Sequence, residues 1–538
     1  MKFNILKPAL AALVLVGTAC TANYLDINTN PYEPSEDDMQ TDGYIIGSAL
    51  TSLASTVVST DVNTAQFTDV LLGGPMGGYY STTGGFTRTI MNYNPTDDWT
   101  NVFMYSDRTI PVLYSNLREL KKVTDDPIVL AIADIIKVAA MHRVTDTYGP
   151  IPYSMIGENG QIQVPYDSQE KVYDKFFEEL DAAIKVLTEH RTDAISAKAD
   201  YIYGGSAEKW CKLANSLKLR LAMRIVYANE AKAREMAESA VNSEVGVITS
   251  NADNARLTSF GADGNPIYVA VNYNKPADCI TGGDTHAAAD IICYMNGYED
   301  PRREKYFSKA QFSGDNAPEY VGMRRGIAIP ALSTVGLLYS GVNFVDGMAT
   351  PLQWMNAAEV AFLKAEAVGV FGWNMGGSAK TFYEQGVRLS FEQWGVAGVD
   401  EYLAGTTLPE SYTDPNGGAT SYSTQLSQLG VAWNDGASKE EMQERIIIQK
   451  WIANFHLGNE AWADFRRTGF PHLIPAMESA VGNNSQGIRN LTLGARRMSY
   501  PADEATNNPE NYAKAVEMLG GSDNMATRMW WDCNPAVK

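Results

Sequence analysis

The sequence is poor in cysteine, histidine and basic residues, and each shortage removes a class of chemistry. Five cysteines occur in 538 residues, and no two of them have CxxC spacing. That excludes a zinc knuckle and a dithiol redox motif. The five histidines, at 142, 190, 286, 456 and 472, form no HExxH pair, so no helical metal site is encoded. Lys and Arg number 43 against 63 Asp and Glu, a net charge of -20. Such a surface repels phosphate backbones and does not dock on anionic lipid through a polybasic patch, so nucleic-acid partners are excluded. No GxSxG elbow and no GxGxxG opening a helix is present. Residues 372–381, GWNMGGSAKT, lack the Gly-Lys-Ser/Thr ending that places a lysine on a phosphate. Past the N-terminus there is no apolar run of about 18 residues, hence no spanning helix. The expectation is a protein without catalytic residues, metal or cofactor.

The N-terminus is the one strongly apolar stretch. Lys2 and Lys7 precede an unbroken apolar run from Ala9 to Val16, then Gly17-Thr18-Ala19 and Cys20. This order reads as a lipoprotein signal over residues 1–19, with Cys20 as the lipidated residue. Acyl chains on that cysteine would supply the multiple-chain anchoring that stable attachment requires, so membrane contact is expected through the lipid alone. Gly17 stands where leucine is usual, which leaves an ordinary secretory cut after Ala19 as the alternative. Asn28, Asn30, Pro31, Pro34 and Ser35 make 20–42 a turn-rich tether. Residues 43–538 are expected to form one domain. Of the remaining cysteines, Cys279 and Cys293 leave a disulfide open, since spacing does not fix geometry.

Strict alternation is scarce, so strands should be few and short. Helical periodicity dominates, at about 44–58, 101–122, 127–147, 169–190, 207–228, 230–243, 284–296, 355–371, 378–394 and 440–456. Several arrive as pairs, the pattern of helical repeats. In 127–147, Ile128, Ile132, Ile135, Ala139 and His142 share one face, with Lys137 opposite. In 357–370 followed by Ala379, Tyr383 and Gly386, small residues suit a close crossing of two helices, as in a tetratricopeptide-like unit. The fold class is mostly all-α: a helical-repeat scaffold of about four pairs with long irregular loops.

Three loops, 73–99, 259–283 and 395–439, are long enough to suggest function. The first sets Gly73, Gly74, Gly77, Gly78, Gly84 and Gly85 beside Tyr79, Tyr80, Phe86, Tyr93 and Trp99. Aromatic side chains offer a large contact area at low entropic cost. The glycines are read as turning the backbone so that these rings stand out from the scaffold. The predicted ligand contacts are therefore Tyr79, Tyr80, Tyr93, Trp99 and Asn94, completed by Tyr273 and Tyr298 from the middle of the chain. Set against this is the reading in which each ring only plugs its loop onto the helices.

Glu359 and Glu366 share an apolar helix face two turns apart. At ~10 Å they are too far apart for a retaining glycosidase pair. They are read as buried acids satisfied by arginine, with Arg143, Arg466 and Arg467 as candidate partners.

Several segments, in order along the chain, resemble the SusD/RagB family of nutrient-binding outer-membrane lipoproteins. They are Tyr24-Leu25-Asp26-Ile27-Asn28 through Pro31; Arg143 through Tyr148-Gly149-Pro150-Ile151-Pro152-Tyr153; Asp300-Pro301-Arg302; and Ala358-Glu359 through Ala365-Glu366-Ala367. They continue with Ile448-Gln449-Lys450-Trp451, Asn459-Glu460-Ala461-Trp462, Arg466-Arg467-Thr468-Gly469, Arg496-Arg497-Met498-Ser499-Tyr500-Pro501 and Trp530-Trp531-Asp532. The resemblance implies four tetratricopeptide-like helix pairs, a loop-rich second half, and a lid over a SusC-like TonB-dependent transporter. It implies an oligosaccharide ligand, with an oligopeptide as the alternative. A glycan-cleaving enzyme and a purely structural lid are the readings from other classes. The matching residues are fold residues, so ligand identity is not inherited.

Overall fold

The computed structural model describes residues 44–83, 89–105, 109–157, 160, 163–328, 335–477 and 486–538. The expected signal peptide, tether and Cys20, together with Gly84, Gly85 and Phe86, lie outside the described residues.

Helices carry the fold. Helix α1 (Tyr44–Ala54) packs on α2 (Thr109–Val123), and α3 (Pro127–Tyr148) packs on α4 (Gln169–Glu189). Next come α5 (Ala207–Arg224) with α6 (Glu230–Val241), the short α7 (Pro266–Val271) and α8 (Ala289–Gly297). The second half holds α9 (Ala357–Gly369) with α10 (Ala379–Trp394), then α11 (Lys439–Ala453), α12 (Gly458–Thr468) and α13 (Pro509–Leu519). The pairs α1/α2, α3/α4, α5/α6 and α9/α10 are the four expected repeats. Among the described residues three two-stranded antiparallel sheets form: β1 (Tyr80–Thr82) with β5 (Thr285–Ala287), β2 (Ile151–Pro152) with β3 (Tyr166–Asp167), and β4 (Ala255–Leu257) with β6 (Leu352–Met355).

Local sequence explains the helix ends. Asp126 accepts from the backbone N–H groups of Ile128 and Val129, and Pro127 fills the first helical position of α3. Ser438 and Glu441 form a reciprocal capping box at the start of α11. At Gly386 on α10 a Cβ atom would lie 2.7 Å from the Phe362 ring of α9, so the expected small residue does set that crossing.

Helix α3 departs from the one-faced pattern expected of it. From Val138 to Tyr148 every residue is buried. The helix runs through the middle of the scaffold, and its polar residues are satisfied by hydrogen bonds and ion pairs. Arg143 reaches Asp69 at 2.5 Å, His142 reaches Glu460 at 2.8 Å, and Asp146 accepts from Arg224 at 2.5 Å. Lys137, on the opposite face, bridges to Glu179 of α4 at 2.7 Å.

The two acids of α9 behave as structural groups. Glu366 is held by Arg467, as expected, while Glu359 is held by Arg220 through two bonds of 2.7 Å. The other two candidate arginines are corrected: Arg143 serves Asp69, and Arg466 donates to the carbonyls of Asp146 and Arg496. The disulfide left open between Cys279 and Cys293 is not formed. Cys211, Cys279, Cys293 and Cys533 are all free thiols. Cys293 is buried on α8, and the Cys279 thiol lies 3.2 Å from the Thr281 hydroxyl.

Helix α12 is amphipathic in sequence, with Ala461, Trp462 and Phe465 on one side and Glu460, Asp464 and Arg467 on the other, but its polar side is not solvated. All eleven of its residues are buried, including Asn459, Glu460, Asp464, Arg466 and Arg467. Glu460, Asp464 and Arg467 are ion-paired in place, Asp464 for example by Lys450 at 2.7 Å and by Arg467 at 3.2 Å, while Arg466 is held by backbone carbonyls.

Candidate functional site

Most rings of the glycine-rich loop are core rings. Tyr79 stacks on Trp451 with centroids 5.6 Å apart and planes 14° apart, and its hydroxyl donates to the Trp451 carbonyl at 2.6 Å. Tyr80 donates to Nδ1 of His456 at 2.5 Å and lies edge-on to Phe455. Trp99 meets Phe67 edge-on and donates from Nε1 to the Leu71 carbonyl at 3.1 Å. Tyr298 donates to the Leu429 carbonyl at 3.0 Å, and Tyr93 is likewise buried. The expectation that the glycines hold these rings outward is therefore corrected. The glycines permit close approach instead. A Cβ on Gly73 would lie 2.7 Å from the Asn459 nitrogen, and one on Gly77 would lie 2.6 Å from the Gly458 carbonyl oxygen. They let the loop press onto the start of α12, which carries its aromatics inward. Asn94 is exposed.

Tyr273 is the exception among the predicted aromatics. It is 56% exposed and follows α7 directly. Asn265 caps α7 by accepting from the N–H groups of Ile267 and Tyr268. The same residue donates from its backbone to the Met348 carbonyl at 2.8 Å and from its side chain to the Thr350 carbonyl at 2.7 Å. The 259–283 loop is thereby tied to the segment 344–350. Across this junction the half-buried rings of Tyr268 and Phe344 meet edge to face, with centroids 5.4 Å apart. Among the described residues nine large hydrophobic side chains are exposed; four of them, Tyr273, Ile280, Val345 and Met348, lie on these two segments. The exposed apolar side chains are thus concentrated here, as at a contact surface.

Polar groups rim the same face. Asn274 donates from Nδ2 to the Asp284 carboxylate at 2.9 Å, and the Asp284 N–H donates to the Tyr273 carbonyl at 2.9 Å. Asn274 sits at φ 58, a left-handed conformation that asparagine tolerates better than most residues. Gly283 is required beside it, because a Cβ there would lie 2.0 Å from the Tyr273 carbonyl oxygen. Asp284 also continues the β1–β5 ladder through the Thr83 N–H at 2.7 Å. The ring of Tyr273 is therefore presented from a braced backbone.

Behind the face lies a firm aromatic floor. Phe344 stacks on His456 with centroids 4.7 Å apart and planes 23° apart. Burial pushes the His456 imidazole down to about 3, so the ring is neutral near pH 7 and shares a hydrogen bond with the Tyr80 hydroxyl at Nδ1. Phe344, Val345 and Met348 were missed in the sequence. The only local sign of them is a short apolar stretch without helical spacing around Gly341 and Gly347.

Among the described residues no group of three or more His, Cys, Asp or Glu side chains is placed to hold a metal. No described helix is long and apolar enough to cross a membrane.

A helical-repeat scaffold that braces an apolar, aromatic face with a polar rim defines a binding protein. Residues 26–532 match the SusD-like family, Susd and RagB outer membrane lipoprotein, and the chain belongs to it. It is similar to a solved SusD homolog from Bacteroides uniformis, with 57% identity over 91% of this chain and 100% of that one and a TM-score of 0.86. A SusD homolog from Bacteroides thetaiotaomicron is 38% identical over 91% of this chain and 99% of that one, with a TM-score of 0.82. A chitin-binding SusD homolog from Flavobacterium johnsoniae is 35% identical over 91% and 99%, also with a TM-score of 0.82. No curated protein matches the chain. The chain is thus a SusD-like nutrient-binding lipoprotein of the outer membrane, a binding protein and not an enzyme.

Proposed function

We propose that this protein captures oligosaccharides at the Tyr273 face and delivers them to a SusC-like TonB-dependent outer-membrane transporter. The observation that carries this reading is the exposed Tyr273 ring, on a backbone braced by Asp284 and on the same segment as Tyr268, which meets Phe344, with Asn274 and Asp284 next to it. Pyranose rings have one apolar face and hydroxyl edges. Stacking serves the first, and amide and carboxylate groups serve the second. The chitin-binding relative from Flavobacterium johnsoniae supports a glycan ligand. Lipidation at Cys20, a tether over 20–42 and one domain over 43–538 complete the proposal. They would hold this face at the membrane beside its transporter.

The test is a screen of glycans and peptides on a soluble form lacking residues 1–20. Saturable binding of an oligosaccharide without turnover supports the reading. Binding of peptides alone would replace the ligand, and absence of any ligand would favour a structural lid.

A further inference from the structure

A second cavity, sharing no residue with the Tyr273 face, opens where α11 and α12 meet the C-terminal segment. Its volume is about 370 Å³, within the roughly 300–1,000 Å³ range of small-ligand sites. Phe465, Phe470, Leu493 and Val537 supply apolar walls. Tyr227, Gln443, His472, Thr492 and Asn534 supply polar groups. The charged lining residues, Lys439, Glu440 and Lys538, are exposed and carry both signs. Nothing in the lining gathers one charge, so an ionic ligand would find no dedicated partner.

The polar residues are held in fixed orientations. Gln443 donates from Nε2 to Glu366 at 2.7 Å and to the Tyr227 hydroxyl at 2.9 Å. Asn534 donates to the Arg467 carbonyl at 3.1 Å and accepts from the Ala536 N–H at 3.0 Å. His472 lies 3.0 Å through Nδ1 from the Leu426 carbonyl. A carbonyl only accepts, so Nδ1 donates to it, which fixes the ring's orientation and turns Nε2 away from that carbonyl. Thr492 adds a hydroxyl able to donate and accept. A ligand for this cavity must therefore present O–H donors and acceptors on one edge and an apolar face on the other, without charge.

We infer that this cavity is a second binding site, for a neutral hydroxylated ring of mono- or disaccharide size. The choice of sugars as probes rests on the carbohydrate reading of the Tyr273 face, and the test separates the two. The full-length lipoprotein, in a sugar-free amine-oxide detergent, is examined by saturation-transfer NMR with glucose, galactose and N-acetylglucosamine in turn. At least one sugar should receive saturation from wild type and from Tyr273→Ala. Thr492→Trp fills the cavity from an exposed position, and His472→Ala removes the imidazole. Each should raise the Kd read from saturation-transfer titrations by about tenfold, equivalent to ~1.4 kcal/mol, with the melting temperature unchanged. No monosaccharide signal from wild type overturns the second site, even if oligosaccharides still bind at Tyr273. So does a wild-type Kd in folded Thr492→Trp and His472→Ala. Conversely, a cavity signal in a protein that captures no oligosaccharide overturns the function proposed above and leaves this site standing.

Discussion

Arg467 holds Glu366 with two hydrogen bonds, 2.6 and 2.9 Å long, and both side chains are closed to solvent. The pair ties α9 to α12, and Gln443 of α11 donates to the same carboxylate. Removing one partner leaves the other as an uncompensated buried charge, which costs about 3–5 kcal/mol. Glu366→Ala should therefore lower unfolding free energy by that amount in denaturant titrations, while any folded fraction keeps wild-type ligand affinity. A variant that melts normally but binds poorly would move Glu366 from the scaffold to the site.

Tyr79 makes a comparable case within the aromatic core. Tyr79→Phe deletes the hydroxyl that bonds the Trp451 carbonyl and should cost about 1–3 kcal/mol, because that bond is closed to solvent. Tyr79→Ala should cost about 3–5 kcal/mol by opening a cavity. Thermal or chemical unfolding reads both. Loss of ligand affinity at undiminished stability would return this ring to the binding surface.

The pairs and the rings also show which features are legible in the sequence. Helices α9 and α10 were readable because their apolar residues recur at helical spacing and Gly386 marks the crossing. The arginine for Glu366 was within reach for the same reason: a buried acid needs a cation. Helix α12 was not read from periodicity because it is only eleven residues long and rich in charge, and sequence does not show that its polar face is buried as well as its Ala461–Trp462–Phe465 side. The glycine-rich loop misled because glycine serves two purposes that look alike in sequence, turning a chain outward and letting it lie against another. Its partner strand, with Tyr80 opposite Ala287, is some two hundred residues away, and nothing local announces that pairing. Tyr273 was visible as a loop aromatic, whereas Phe344 needed the fold to bring its segment alongside.

Acid should unfold the protein in two overlapping windows. Burial pushes Glu460 and Asp464 up, but Arg220 and Arg224 on the first, and Lys450 and Arg467 on the second, outweigh it and hold both carboxyls below their ordinary values. Their stabilisation is present above the unfolded pKa and is lost as pH falls below about 4.5. His456 is shifted by burial to about 3. Between about 6.5 and 3 the unfolded state takes a proton that the folded state refuses, so stability falls with pH across that window by up to roughly 1.4 kcal/mol per pH unit. Unfolding free energies at pH 7, 6, 5 and 4 should decline. In His456→Phe the decline between pH 6 and 5 should be shallower. An identical slope in that variant would assign the proton to another group.

Membrane attachment should depend on Cys20. Cys20→Ala is expected to leave the membrane fraction for the soluble fraction in cells lacking the partner transporter. Continued sedimentation with membranes in that background would contradict the lipid anchor.

Titration calorimetry of Tyr273→Ala with the oligosaccharide found by screening tests the account most directly, because Tyr273 is the exposed aromatic of the braced face. Loss of one stacked ring should weaken affinity by about 5- to 150-fold, or ~1–3 kcal/mol, with the melting temperature unchanged. Wild-type affinity in Tyr273→Ala, in a protein that still folds and saturates, would contradict the account and place glycan capture elsewhere on the molecule.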